Sequence, residues 1–141
     1  MNGFSPIITT SSLKHTTFLQ SLGAAHVLDR ALTPAALLSE IAKAARGAPL
    51  EYAYDAVSDA MTLRVAHDAL APGGGLVSVA GPGTDLRECA DGKRVVTPFA
   101  SFLLPANRAL GGEVYARLEG WLRDGTLVVS VLAFAVLSRI G

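Results

Sequence analysis

The sequence contains few cysteines, few charged residues and few aromatic side chains. Of its 141 residues one is cysteine, 6% are aromatic and 17% are charged, and 12 basic residues balance 12 acidic ones. The single cysteine, Cys89, excludes an internal disulfide framework and any zinc site built from several cysteines. The balanced charge leaves no electrostatic footprint for nucleic acid or for an anionic membrane, so we expect neither partner.

Long hydrophobic runs and a secretory leader are also missing. The most apolar stretch, residues 127–138, has about a dozen residues, whereas a helix that spans a bilayer needs about 20. No basic segment followed by an apolar core stands at the N-terminus. Together with the single cysteine, these absences lead us to expect a cytoplasmic protein.

Motifs for metal binding and nucleophilic catalysis are absent as well. His15, His26 and His67 are widely spaced and lack companion ligands, so we expect no metal site. The sequence has no GxSxG elbow and no defensible serine, histidine and acid triad. It therefore assigns no catalytic residue.

The sequence does contain short apolar runs that alternate with helical patterns. The runs that predict strands are residues 6–10, 26–28, 51–57, 76–80 and, interrupted by Pro98, 95–104. Tyr52, Tyr54 and Asp55 belong to the third run, and we expect them to be buried and structural. This alternation predicts an α/β fold in which crossover helices wind a parallel sheet.

Capping signals place the predicted helices between these strands. Ser11 or Ser12 begins the first helix, Thr33 and Pro34 begin one that runs to about residue 46 before Gly47, and Ser58 or Asp59 begins the third. A final helix is predicted over residues 107–123. The glycine-rich residues 72–75 follow a helix and precede a strand, the reverse of a phosphate loop, so we interpret them as a turn.

The residues after the first predicted strand indicate a nucleotide site. An acidic side chain there would prefer a free ribose 2′-hydroxyl, but this chain has Ser11, Ser12 and Lys14, whose donors suit a phosphate and favour NADP(H). The alternative is a helix cap with one solvated lysine. Arg30 either adds positive charge beside the adenine or is a solvated loop residue.

The ends of the next two predicted strands share the same sheet edge. Val57 and Ser58 end one strand, and Ala80 and Gly81 end the other. Residues at this edge of a parallel sheet contact bound nucleotides, so we expect these four to contact the ribose and nicotinamide.

Three stretches carry a family resemblance: SLGAAHVLDR, YAYDAVSDAMTLRVAHDALAPGGGLVSVAG and NRALGGEVYARLEGWLRDGTL. They resemble the cofactor-binding half of a zinc-independent medium-chain dehydrogenase/reductase, and within that family the fungal trans-acting enoyl reductases. The resemblance covers residues 5–127 and implies a Rossmann-like fold that binds NADP(H). It also implies that the loop from Ser11 to His15 binds the 2′-phosphate, while Arg30 replaces a tyrosine common near the adenine.

The reaction implied by the resemblance is hydride transfer from NADPH to an α,β-unsaturated thioester. The thioester would be carried by a partner polyketide synthase in secondary-metabolite biosynthesis. The chain would then be an oxidoreductase of the enoyl reductase type.

The chain departs from the family pattern at both ends. No first strand, glycine-rich turn or barrel-like substrate domain precedes residue 5, and an apolar tail over residues 128–141 replaces the family's polar continuation. We therefore expect a truncated or remodelled member with a partial NADP-binding domain over residues 5–127. One alternative is a noncatalytic remnant that binds a full-length homologue or a synthase through an exposed sheet edge and the apolar tail, and another is an incomplete gene model without independent function. The sheet edge exposed by the missing first strand also predicts self-association or poor solubility.

Overall fold

The computed structural model describes residues 4–79, 91–99 and 101–127. The chain divides into two compact units, Met1–Pro98 and Phe99–Gly141. The first unit holds the strands of the described part of the chain, and the second holds its longest helix.

The first unit alternates parallel strands with helices, which confirms the predicted α/β fold. Its elements are β1 (Ile8–Ser11), a 3-10 helix (Leu13–His15), α1 (Thr16–Ser21), β2 (His26–Asp29), α2 (Pro34–Ala45), β3 (Tyr52–Asp55), α3 (Ala60–Ala69), β4 (Gly75–Ser78) and β5 (Arg94–Val96).

The described strands form two sheets rather than a single continuous one. In the first, β1 runs parallel to β2, with Ser11 opposite Asp29. In the second, β4 lies between β3 and β5 and is parallel to both, with Asp55 opposite Ser78. Because the strands within each sheet are parallel, their carboxyl ends lie together at one edge, where open α/β sheets bind ligands.

Helices α2 and α3 pack against each other and carry the hydrophobic core. Leu37 and Ile41 of α2 meet Val65 of α3, and Ile8 of β1 and Leu28 of β2 pack against this cluster. A second cluster, formed by Leu63, Leu70 and Leu76, fixes α3 on the second sheet. The helices thus connect the two sheets through side chains.

The prediction that the whole third strand is buried is wrong for its two tyrosines. Tyr52 and Tyr54 are 68% and 70% exposed, whereas Asp55 is 6% exposed. Successive side chains of a strand point to opposite faces. Ala53 packs in the cluster on α3, so the tyrosines lie on the opposite face of the sheet.

The second helix begins as predicted and ends at Ala45, within one residue of the predicted position. The Thr33 hydroxyl oxygen accepts a hydrogen bond from the Ala36 amide at 3.3 Å, and Pro34 is the first helical residue. At the other end Arg46 itself adopts the left-handed conformation, with φ of 51°, before Gly47 at 81°. Arg46 therefore occupies a position that usually takes glycine.

Two other predicted boundaries differ from the structure, and at a third the structure selects one of two predicted caps. The first helix starts with the 3-10 turn, and the Ser12 side chain does not cap it. Asp59 rather than Ser58 caps α3, since its carboxylate accepts from the Thr62 amide at 2.7 Å. The last strand, β5, stops at Val96 instead of running to residue 104, as expected when Pro98 lacks the amide that a ladder needs.

The glycine-rich residues after α3 form a turn, as predicted. Gly73 has φ of 78°, and the Gly74 amide donates to the Ala71 carbonyl oxygen at 3.0 Å. A Cβ at Gly74 would lie 2.9 Å from that same carbonyl oxygen. The chain therefore reverses tightly here into β4 and offers no phosphate loop.

The second unit consists of a 3-10 helix, Pro105–Asn107, followed by α4, Arg108–Arg123. The prediction over residues 107–123 is thus confirmed to within one residue. Phe102 packs edge-on against Tyr115 with ring centroids 5.6 Å apart and lies over Gly111, where a Cβ would approach it to 2.7 Å. No helix in the described part of the chain is long and apolar enough to cross a membrane.

Candidate nucleotide-binding site

The carboxyl end of the first sheet presents two hydroxyl groups. Ser11 is the last residue of β1, and Ser12 follows it in an extended conformation. Among the described residues neither hydroxyl has a hydrogen-bond partner. The Ser11 carbonyl oxygen accepts from the Arg30 amide at 3.0 Å, so the chain after β2 lies beside these serines.

Basic residues follow both strands at this edge. Lys14 and His15 belong to the 3-10 helix that follows Ser12, and Arg30 directly follows β2. Lys14 and Arg30 are exposed, and within the described ranges neither forms an ion pair. The neighbouring carboxylate, Asp29, accepts a hydrogen bond from the Ala31 amide at 2.9 Å, which orients it toward its own turn.

These residues fit a ribose 2′-phosphate. A phosphate prefers charge-assisted donors, and this edge offers two hydroxyls, an ammonium and a guanidinium. A carboxylate at the end of β1 would instead accept from a free 2′-hydroxyl, but Ser11 occupies that position. The predicted cluster of Ser11, Ser12, Lys14, His15 and Arg30 is therefore brought together at one sheet edge.

The carboxyl end of the second sheet carries Val57 and Ser58 on a tight turn between β3 and α3. Val57 is exposed, and Ser58 is half-buried with φ of 60°. The Ser58 hydroxyl donates to the Asp55 carbonyl oxygen at 3.0 Å and accepts from the Ser78 hydroxyl at 2.8 Å. The ends of β3 and β4 are thus joined by side chains. Ala80 and Gly81, also predicted to contact the cofactor, lie outside the described residues.

Sequence reasoning missed three polar residues that build this turn. Asp55 accepts from the amides of Val57 and Ser58, both at 3.0 Å, and from the Thr62 hydroxyl at 2.8 Å. The third residue is Ser78, which is 2% exposed. An aspartate at a strand end with a serine three residues later is a local signal for such a turn.

In the described ranges no group of three or more histidine, cysteine, aspartate or glutamate side chains is placed to hold a metal ion.

The family follows from comparison with known proteins. Residues 1–104 match the family model described as zinc-binding dehydrogenase. The chain belongs to this family. The resemblance to medium-chain dehydrogenase/reductases is thereby confirmed at family level. Among curated proteins, none matches the chain significantly.

Several solved structures share the fold of this chain. A mycobacterial protein complexed with NADPH superposes with a TM-score of 0.70 at 21% identity, covering 89% of this chain and 41% of its own. The CurK enoyl reductase gives 0.65 at 20% identity, covering 84% of this chain and 36% of its own. A quinone oxidoreductase from Pseudomonas syringae pv. tomato DC3000 superposes with a TM-score of 0.64 at 23% identity, covering 89% of this chain and 40% of its own.

These likenesses confirm the fold expected from the sequence, the Rossmann-like half of such enzymes. The chain spans less than half the length of each of these three solved proteins.

Proposed function

We propose that this chain binds NADPH through the carboxyl edges of its two sheets. One observation carries the proposal: two serine hydroxyls without partners in the described part of the chain lie beside the exposed, unpaired Lys14 and Arg30. These groups, with His15, would hold the 2′-phosphate. The mycobacterial structure that shares the fold was solved with NADPH, which supports the choice of cofactor.

At the second sheet, Val57 and Ser58 would contact the ribose and nicotinamide, together with Ala80 and Gly81. Val57 offers an exposed apolar side chain, which suits the face of a planar ring. Bound NADPH supplies a hydride to its substrate. The residues of this chain bind and orient it.

The proposed reaction is reduction of an α,β-unsaturated thioester. Bound NADPH would supply the hydride for the β-carbon, solvent would supply the proton for the α-carbon, and NADP⁺ would be the product. Membership of the family and the fold shared with enoyl and quinone reductases support an oxidoreductase. The resemblance to fungal trans-acting enoyl reductases extends the proposal to thioesters on a polyketide synthase carrier, in secondary-metabolite biosynthesis in the cytoplasm.

Isothermal titration calorimetry tests the cofactor proposal. We expect NADPH to bind about tenfold or more tightly than NADH, because only NADPH places a phosphate beside Lys14. Lys14→Ala and Arg30→Ala should each remove much of this preference. Lys43→Ala is the matched control, since Lys43 lies on α2 and pairs with Glu40. Equal affinity for the two nucleotides would contradict the proposal.

A spectrophotometric assay tests the reaction separately. NADPH oxidation is followed with a crotonyl thioester on coenzyme A and on an acyl carrier protein. Turnover with either thioester supports the reductase. Tight NADPH binding without turnover would reject catalysis by this chain but would still support the proposed cofactor site.

A second role, association through β3, is favoured by one observation. In the described part of the chain β3 pairs only with β4, and Tyr52 and Tyr54 on it are highly exposed. An exposed strand edge with apolar neighbours is a template for pairing with another strand. We propose that a second copy of the chain pairs with β3 at this edge.

A further inference from the structure

The turn after β3 depends on a buried carboxylate. Asp55 is 6% exposed, and a buried charge is tolerated only when it is fully hydrogen-bonded. One oxygen of Asp55 accepts from the Val57 and Ser58 amides, and the other accepts from Thr62. The carboxylate is therefore satisfied from within its own turn and the first turn of α3.

The same carboxylate holds an unfavourable backbone conformation. Ser58 has φ of 60°, in the left-handed region that residues with a Cβ atom disfavour. The hydrogen bond from the Ser58 amide to Asp55 offsets this cost. Without Asp55, Ser58 would relax toward the right-handed region, and Val57 would leave its present position.

The effect of Asp55 also extends to the next strand. Asp55 is opposite Ser78 in the register of β3 and β4, and its carbonyl oxygen accepts from the Val79 amide at 3.2 Å. The Ser78 hydroxyl donates to the Ser58 hydroxyl, which in turn donates to the Asp55 carbonyl oxygen. The backbone carbonyl at position 55 thus links both strand ends that face the proposed nicotinamide position, and the Asp55 carboxylate holds the turn between them.

We infer that Asp55 is a positioning residue for the nicotinamide half of bound NADPH. It touches no part of the ligand and acts through the turn that carries Val57 and Ser58. The inference rests on the proposed binding of NADPH. It assigns the two halves of the cofactor to separate groups: Ser11, Ser12 and Lys14 hold the phosphate end, and the turn fixed by Asp55 holds the other.

Two ligands separate these halves experimentally. 2′,5′-ADP carries the adenosine and its 2′-phosphate without a nicotinamide, whereas NADPH carries both. In calorimetry on the full chain, we expect Asp55→Ala to raise the Kd for NADPH about tenfold and to change that for 2′,5′-ADP less than about twofold. Lys14→Ala should weaken the binding of both ligands.

Asp55→Asn is the conservative variant. Its amide oxygen still accepts from the Val57 and Ser58 amides, so we expect NADPH affinity to stay within about threefold of the unchanged chain. Asp68→Ala is the matched control, because Asp68 is an exposed carboxylate on α3 of the same unit. Circular dichroism establishes that each variant is folded.

Thr62→Val keeps the test decisive if Asp55→Ala does not fold. Valine has the shape of threonine but cannot donate a hydrogen bond to Asp55. We therefore expect the binding of NADPH to weaken about threefold and the binding of 2′,5′-ADP to stay unchanged. Equal weakening of the binding of both ligands, or unchanged NADPH affinity, in the folded Asp55→Ala or Thr62→Val variant would overturn the inference. A native chain that binds neither ligand would instead reject the proposed function itself.

Discussion

Ser11 occupies the position at which a carboxylate would select against a phosphate. We expect Ser11→Asp to reduce NADPH affinity about tenfold or more, because its charge would face the 2′-phosphate, and to improve NADH affinity by accepting from the 2′-hydroxyl. The measurement is the ratio of the two dissociation constants. Ser39→Asp, on the exposed surface of α2, controls for added charge. An unchanged ratio would place the phosphate elsewhere.

Asp91 gives a prediction about pH. A hydrogen bond from the Lys93 side chain, 2.9 Å away, lowers the pKa of Asp91 below its ordinary value. A carboxylate whose folded pKa is depressed contributes stability above its unfolded pKa and loses it as pH falls through the folded pKa. We therefore expect the stability contributed by this pair to be present at neutral pH and to disappear in acid.

Urea unfolding of the native chain and of Asp91→Asn at pH 7 and pH 3 measures this contribution. The two proteins should differ in stability at pH 7, and this difference should be smaller at pH 3. The effect is small because Asp91 is well exposed and water screens the pair. A difference that grows in acid would contradict the prediction.

Helix α2 ends at a residue that does not suit its conformation. Arg46 has a left-handed backbone conformation. This conformation costs about 1 kcal/mol of folding free energy for a residue with a Cβ atom, and glycine adopts it without a comparable cost. We expect Arg46→Gly to stabilise the protein by about 0.5–1 kcal/mol in urea unfolding. Arg46→Ala removes the same side chain without relieving the backbone, so it should not stabilise. Equal effects of the two would show that the arginine side chain is responsible.

Sequence patterns predicted where the helices start, because residues within the first helical turn determine the start. Thr33 and Pro34 start α2 by a cap and a preset φ, and both features act within one turn of helix. The choice between Ser58 and Asp59 at the start of α3 was open, because both side chains can cap. Tertiary contacts decide it: the Ser58 hydroxyl bonds to the Asp55 carbonyl oxygen and to Ser78, which leaves Asp59 to cap the helix.

The candidate site was predictable to different extents in its two halves. Ser11, Ser12 and Lys14 follow one strand directly, so the sequence already placed them together. Asp55 and Ser78 are far apart in sequence and meet only because β3 and β4 pair in one register. That pairing, and the exposure of Tyr52 and Tyr54, depend on which faces the helices cover. A single strand pattern does not contain this information.

For the molecule as a whole, the exposed β3 predicts self-association. We expect light scattering after size exclusion to show dimers whose fraction rises with concentration, and Tyr54→Lys to shift them to monomers, because lysine on an edge strand discourages pairing. Met61→Lys, an equivalent change on α3, should leave the dimers in place. A chain that stays monomeric at all concentrations would rule out this association.

Both sheets pack against side chains of α3, but in the described residues no strand pairing joins one sheet to the other. Their amide protons can therefore exchange with solvent in separate opening events, one for β1 and β2 and one for β3, β4 and β5. A dinucleotide that rests on both carboxyl edges would bind only when both sheets are closed. Its binding should slow exchange in the two sheets together, so that two independent local openings become one cooperative event.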